Sequence, residues 1–402
     1  MPDTGCVLPA LRGCAAPPET EFLLLCARSR MHPAHVERVR CLAAQGLDWS
    51  VVLGFSMEHG LAPLVHRSVK AACADVVPAE AVHDLDSVCT AIAHSNLSAS
   101  AELAATLQLL ARYGIPVIPL KGPLLAQRLF SDIGLRQFND LDILVREEDR
   151  GPARELLLAN GFRLAAPVAT TGSRPDSLVS PAGDLSFELH WRLLPERCEF
   201  RLDTDYVWRR AREVSFFGNR ALTLCDEDLL LYAAAHGTKH LWQRLSWLCD
   251  IAEILACDPV IDWGRLRLLA EAIGVVRMTW LTLRLVSTLL GAALPGDAER
   301  NMADSRAEPL VRVLTAQLLG RHSMSNLERQ TFQILVRERP VDRIRMVQRI
   351  LRARISPTLR DREVVSLPEV LSPLYYLIRP LRFLHECRLQ EITVLLRAIA
   401  KP

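Results

Sequence analysis

Asp140 and Asp142 stand one residue apart at the head of an apolar run, Leu141 to Val145. The run reads as a strand. Side chains alternate across a strand with period two, so both carboxylates leave the same face. Two adjacent carboxylates suit a hard, oxygen-seeking cation, and Mg²⁺ commonly shares such a site with substrate phosphates. A pair of such ions can clamp the attacking and leaving oxygens of a phosphoryl or nucleotidyl transfer. Taken alone, D-x-D also fits a plain strand-entry turn. A third carboxylate has to come from a neighbouring strand, and Glu188 is the candidate. In Leu185–Trp191 it shares a face with His190, while Phe187 and Leu189 take the other. Its expected roles are ion ligand and general base for an acceptor hydroxyl. The plainer alternative is an ordinary exposed strand glutamate.

The elements around these residues follow from local pattern. Ile115 to Leu120 is a short β-branched run carrying Pro116 and Pro119, which predicts a strand with one blunted side. Lys121-Gly122 breaks it. Pro123 to Phe130 then predicts a helix with proline in its first turn, where a missing N–H does no harm. Backbone N–H groups at such a turn can approach a phosphate, and the helix dipole favours the anion. Lys121 would add a point charge on a β- or γ-phosphate; a simple strand-to-helix turn is the other reading. Asp132 to Asn139 is a loop. Arg136, four residues before Asp140, could touch a triphosphate and could equally pair with an acid.

Farther along, one helix is predicted from Asp226 to Leu255, with Gly237 as a point of interruption. At about 100° per residue, His236, Lys239, His240, Gln243, Trp247 and Asp250 fall on one face. Leu241, Leu245, Leu248 and Ala252 fall on the opposite one. His236 and His240 have the i, i+4 spacing of a helical zinc site, but no glutamate follows the first histidine and no third ligand lies nearby. A row lining a cleft beside the two aspartates fits better, and a hydrogen-bonded structural pair fits as well. Only Lys70, Lys121, Lys239 and Lys401 are lysines in a chain whose Lys and Arg total 48, which singles out Lys121 and Lys239.

The order LKG, then R-x-x-x-D-x-D-x-L-V, resembles the nucleotidyltransferase superfamily of DNA polymerase β and the antibiotic nucleotidyltransferases. More narrowly it is similar to an uncharacterised bacterial nucleotidyltransferase family that carries Lys-Gly where better-known members carry Gly-Ser. That family commonly has D-x-H-W where this chain has Glu188-Leu189-His190-Trp191, a ligand one methylene longer. The resemblance covers residues 20 to 390, with its sharp motif confined to Leu120–Val145. It implies an α+β fold, with a small mixed-sheet nucleotidyltransferase core between N- and C-terminal helical segments. It implies an NTP substrate and Mg²⁺ held by Asp140, Asp142 and Glu188; with it, the triphosphate is expected at Lys121, Gly122, Arg136, Lys239, His236 and His240. The acceptor is not implied. The alternative is a catalytically inactive nucleotide- or partner-binding protein of the same fold.

The remaining features bound these readings. The chain has 402 residues, half of them hydrophobic, enough for two or three domains. Five segments are expected: a flexible tail at 1–18, helices at 19–109, the α/β core at 110–224, a helical domain closing the cleft at 225–300, and C-terminal helices at 301–402. Residues 78–113 read as one or two helices, which sets aside Asp84-x-Asp86, since i and i+2 diverge on a helix. Hairpins are expected at Leu178–Trp191 and Val214–Leu224. A net charge of +2, with no basic patch or stacking aromatic run beside the core, gives no support to nucleic-acid binding. Eleven cysteines without a C-x-x-C pair suit reduced thiols in the cytosol. Met278 to Pro295 holds Arg284 and falls short of a membrane span, and no signal peptide is evident. A cytoplasmic protein is the expectation. Leu371–Phe383 reads as a core helix with a basic rim.

Overall fold

A computed structural model describes residues 8, 16–165, 175–183, 185–193, 204–257, 261–356, 374–376 and 389–400. Five helices open the chain: α1 (Pro18–Cys26), α2 (Pro33–Ala44), α3 (Trp49–Glu58), α4 (Ala62–Ala72) and α5 (Ala79–Arg112). Asp48 starts α3 by accepting hydrogen bonds from the Ser50 and Val51 N–H groups at 3.0 and 3.2 Å. The stretch 78–113 holds a single helix, α5, of 34 residues, flanked by Pro78 and Tyr113. Its Asp86 is engaged by Lys70 at 2.7 Å, away from the α/β core's acids.

The core follows in the order β1 (Ile118–Pro119), α6 (Pro123–Phe130), β2 (Asp140–Leu144), α7 (Arg150–Ala159), β3 (Arg163–Leu164), β4 (Asp176–Val179) and β5 (Ser186–His190). The sheet order is β1-β2-β5-β4-β3, with β2 and β5 parallel and the other pairs antiparallel. The strand expected over 115–120 is thus only two residues long. Pro116 and Pro119 have no N–H to donate to a ladder, although the Leu120 N–H extends the pairing to the Asp142 carbonyl at 2.9 Å. After α8 (Thr204–Arg210), β6 (Arg212–Phe216) and β7 (Asn219–Thr223) form the separate expected hairpin.

Alternation along β2 splits the packing. Leu141 and Ile143 join Phe187, Leu189, α7 and the C-terminal half of α5 in one core. Leu144, on the face of the two aspartates, joins a second and larger core. That core gathers side chains from α1–α4 together with α9 (Asp226–Lys239), α10 (Leu245–Ala256), α11 (Trp263–Ile273), α12 (Val276–Leu290), α13 (Gly296–Met302) and α14 (Glu308–Leu318). The helices placed at 19–109 and 225–300 therefore share one interior. Leu8, inside the segment expected to be a loose tail, is buried in it; the rest of 1–15 lies outside the described residues. Helices α15 (Asn326–Leu335), α16 (Pro340–Ile355) and α17 (Leu389–Ala400) close a small satellite core around Ile334, Val347 and Leu395. Residues 170–174 and most of the helix expected over 371–383 lie outside the described residues.

The single helix expected from Asp226 to Leu255 is two. Helix α9 stops at Lys239, and α10 begins at Leu245. Leu241 and Trp242 both take positive φ, 54° and 51°, which reverses the chain. Gly237 does not interrupt α9. It makes room for the turn: a Cβ there would stand 2.4 Å from the Trp242 indole, so the ring packs flat where other residues carry a side chain. Among the described residues no helix is long and apolar enough to cross a membrane.

Candidate active site

The parallel register sets Asp142 directly beside Glu188 and Leu144 beside His190. The ligand atoms of Asp142, Glu188 and His190 lie within 4.8 Å of one another. His190 Nε2 is 3.3 Å from Glu188 and 3.8 Å from Asp142. Lys121, at the end of the β1 segment, reaches across so that its Nζ lies 2.9 Å from both the Asp140 and Asp142 carboxylates. Its ammonium stands between the acids as a cation would.

Electrostatics follow from this enclosure. Burial alone would raise the Asp142 carboxyl, but His190 and Lys121 outweigh it and hold the group well below the usual carboxylate range. Burial works against charge on Lys121 and His190 too, and the facing carboxylates raise both. Asp142 Oδ1 is nevertheless buried with no hydrogen-bond partner. A native charged oxygen in that state calls for something to bind. An orphaned carboxylate oxygen beside a second carboxylate and an imidazole fits a divalent cation.

These residues floor a cavity of about 410 Å³. Gly122 starts α6 with φ 87° and ψ −146°, and a Cβ there would meet Leu141 at 3.0 Å. Few residues but glycine take that backbone. The opposite wall is α9, the turn after it, and α10. His236, Lys239, His240, Arg244 and Trp247 line the cavity from that side. The rings of His236 and His240 lie 4.8 Å apart, with Trp247 edge-on to His236 at 5.4 Å. Burial, then the nearby lysines, push both histidines down, His240 to about 4, so both are neutral at neutral pH. Lys239 is exposed, and neither it nor Arg244 has an acidic partner among the described residues.

Two expectations change. Arg136 lines the cavity but its guanidinium is spent: Nε and Nη2 donate to Asp250 at 2.8 Å, both side chains being buried. Asp250, predicted on the cleft-facing row, turns away because the α9–α10 break resets the helical phase. Their ion pair ties the loop before β2 to α10, and Asn96 of α5 fastens the same loop by donating to the Ile133 and Arg136 carbonyls. The second change concerns the cluster itself, which takes His190 where the sequence pointed to Asp140. Asp140 remains at the site through Lys121. The sequence carried a signal for His190, its shared strand face with Glu188. It carried none for Arg244, which only the break brings to the cleft.

A family described as uncharacterised nucleotidyltransferase matches residues 45–291, more than half of the chain and the whole cavity lining. The chain belongs to that family. It is a nucleotidyltransferase-family enzyme with an α+β architecture built on a small mixed sheet. A crystal structure of an antigenic nucleotidyltransferase-like protein from Paracoccidioides brasiliensis is similar over 60% of this chain and 96% of that one, at 14% identity and a TM-score of 0.28. No curated protein matches.

Proposed function

We propose that this member of the family transfers a nucleoside monophosphate from an NTP to an acceptor hydroxyl, with Mg²⁺ as cofactor. The observation that carries the reading is the parallel pairing of β2 and β5. It sets Asp142, with its unpartnered oxygen, beside Glu188 at the floor of a cavity large enough for a nucleotide. Asp140, Asp142 and Glu188 would hold the ion, with His190 orienting the carboxylates. When bound, Mg²⁺ would supply Lewis-acid charge to the triphosphate and the departing pyrophosphate.

The chain's own groups supply the rest. The Gly122 turn offers backbone N–H groups at the start of α6. Lys121, Lys239 and Arg244 supply positive charge for the β- and γ-phosphates, and the neutral His236 and His240 can donate N–H without adding charge. The acceptor oxygen bonds to the α-phosphorus, the bridging α–β P–O bond breaks, and pyrophosphate leaves with that electron pair. Glu188 receives the hydroxyl proton. The gain comes from positioning and charge neutralisation.

A second reading, a nucleotide-binding protein without turnover, draws on Lys121, which already neutralises the two aspartates. One experiment separates the two. Losing an outer partner of a metal typically costs 10–100-fold, so losing a ligand should cost at least about a hundredfold. Asp142→Asn should therefore remove Mg²⁺-dependent pyrophosphate release while circular dichroism stays that of the wild type. Equal release from both proteins would sink the enzyme reading.

A further inference from the structure

A second cavity, about 490 Å³, adjoins the first. Arg244 and Trp247 line both, so they form the partition between them. Leu23 of α1, Phe55, Glu58 and His59 at the end of α3, Gln317 and Leu318 of α14, and Arg329 of α15 are among its other lining residues, the Glu58 carboxylate being solvent-exposed. The α9–α10 break creates it, since Gln243 and Arg244 belong to the turn and Leu245 opens α10. The corner is held firmly: the Ser246 N–H donates to the His59 carbonyl at 3.1 Å.

Three observations mark it as a binding site. Two lining residues, His59 and Gln317, carry buried polar atoms, Nδ1 and Oε1, without hydrogen-bond partners. Native structures rarely leave such atoms idle. Arg329 spends its Nε on the Met324 carbonyl at 3.1 Å, and its terminal nitrogens have no partner among the described residues. Finally, the first cavity lies wholly within the matched span 45–291, whereas Leu23, Gln317, Leu318 and Arg329 lie outside it. The shared chemistry sits in the matched part; the far wall of the second cavity is added by the rest of the chain.

We propose that this second cavity is the acceptor site, and that the acceptor is a small aromatic hydroxy acid. The assignment rests on the nucleotidyl-transfer reading above. Phe55, Leu23 and Leu318 accept an apolar ring-bearing body, and Trp247 flanks it at the partition. Arg329 binds the carboxylate in the fork geometry that guanidinium offers. The hydroxyl then points past Arg244 toward the α-phosphate. The volume is in the range of small-molecule sites.

The test uses the full chain and two probes, 3-(4-hydroxyphenyl)propionate and its neutral amide, titrated calorimetrically without nucleotide or metal. The carboxylate should bind at least about tenfold more tightly than the amide, as a charge-assisted pair implies. Arg329→Gln should erase that preference, and Arg329→Lys, which retains the charge, should keep part of it. Equal binding of the two probes to the wild type, or an unchanged preference in Arg329→Gln, overturns the proposal. Because neither NTP nor Mg²⁺ is present, this result is independent of Asp142→Asn, so the acceptor site and the transfer reaction can fail separately.

Discussion

The floor and the helical wall of the cleft are built on opposite terms. The floor is two adjacent strands whose side chains are committed by a period of two, and its acids crowd around one another and Lys121. The wall is a broken helix, held in place by a buried ion pair and by an indole lying against a glycine. The floor concentrates charge that the fold pairs only in part, whereas the wall places its charges, Lys239 and Arg244, beside neutral imidazoles. A substitution in the floor should therefore change chemistry more than stability. One in the wall should change stability or affinity and leave metal binding alone.

The sharpest way to break that contrast is the ion pair behind the wall. Asp250→Ala strands a buried Arg136, and breaking a buried pair typically costs about 3–5 kcal/mol. Urea unfolding should show a loss of that size. Asp142→Asn leaves Lys121 its second partner, Asp140, so it should cost less in unfolding than Asp250→Ala, and it should remove pyrophosphate release. If Asp250→Ala proved neutral in unfolding, the wall would not depend on the Arg136–Asp250 tie.

A smaller effect is expected at Lys239. Its charge is exposed and faces the same cavity as Lys121. One phosphate contact there is worth about 1 kcal/mol, or about fivefold. Lys239→Ala should weaken NTP affinity by that factor and leave Mg²⁺ affinity unchanged. An unaltered NTP titration would make Lys239 an ordinary surface lysine.

The last expected effect is a slope. His240 is held down to about 4, chiefly by burial, while an unfolded histidine titrates near 6.5. Between those values the unfolded chain binds a proton that the folded chain does not. Stability from this group is therefore full above about pH 6.5 and falls as pH drops toward 4. His240→Gln should flatten the pH dependence of unfolding over that window relative to the wild type. An identical slope would place the histidine's titration outside the folding equilibrium.

Much of the core is legible in the sequence alone. The D-x-D at a strand entry, the helix Pro123–Phe130 and both hairpins all come from patterns contained within a few residues. The shared face of Glu188 and His190 comes from the same local rule. Which strand lies beside which is not local. The pairing of Asp142 with Glu188 spans a crossover through α7, β3 and β4, and only the folded sheet sets it side by side.

The helical wall shows the limit from the other direction. Periodicity projects one face from His236 to Asp250, because a helical wheel assumes an unbroken helix. Packing decides otherwise: Trp242 finds its place over Gly237, the backbone turns through two left-handed residues, and the phase restarts. Asp250 then goes inward to Arg136, and Arg244 comes out to the cleft. Sequence by itself determined the chemistry available, three carboxylates, a lysine and a glycine turn, since side-chain type and strand alternation are local properties. Tertiary structure alone decided which charges pair and which stay free, because that depends on distances set by burying apolar faces far apart in the chain.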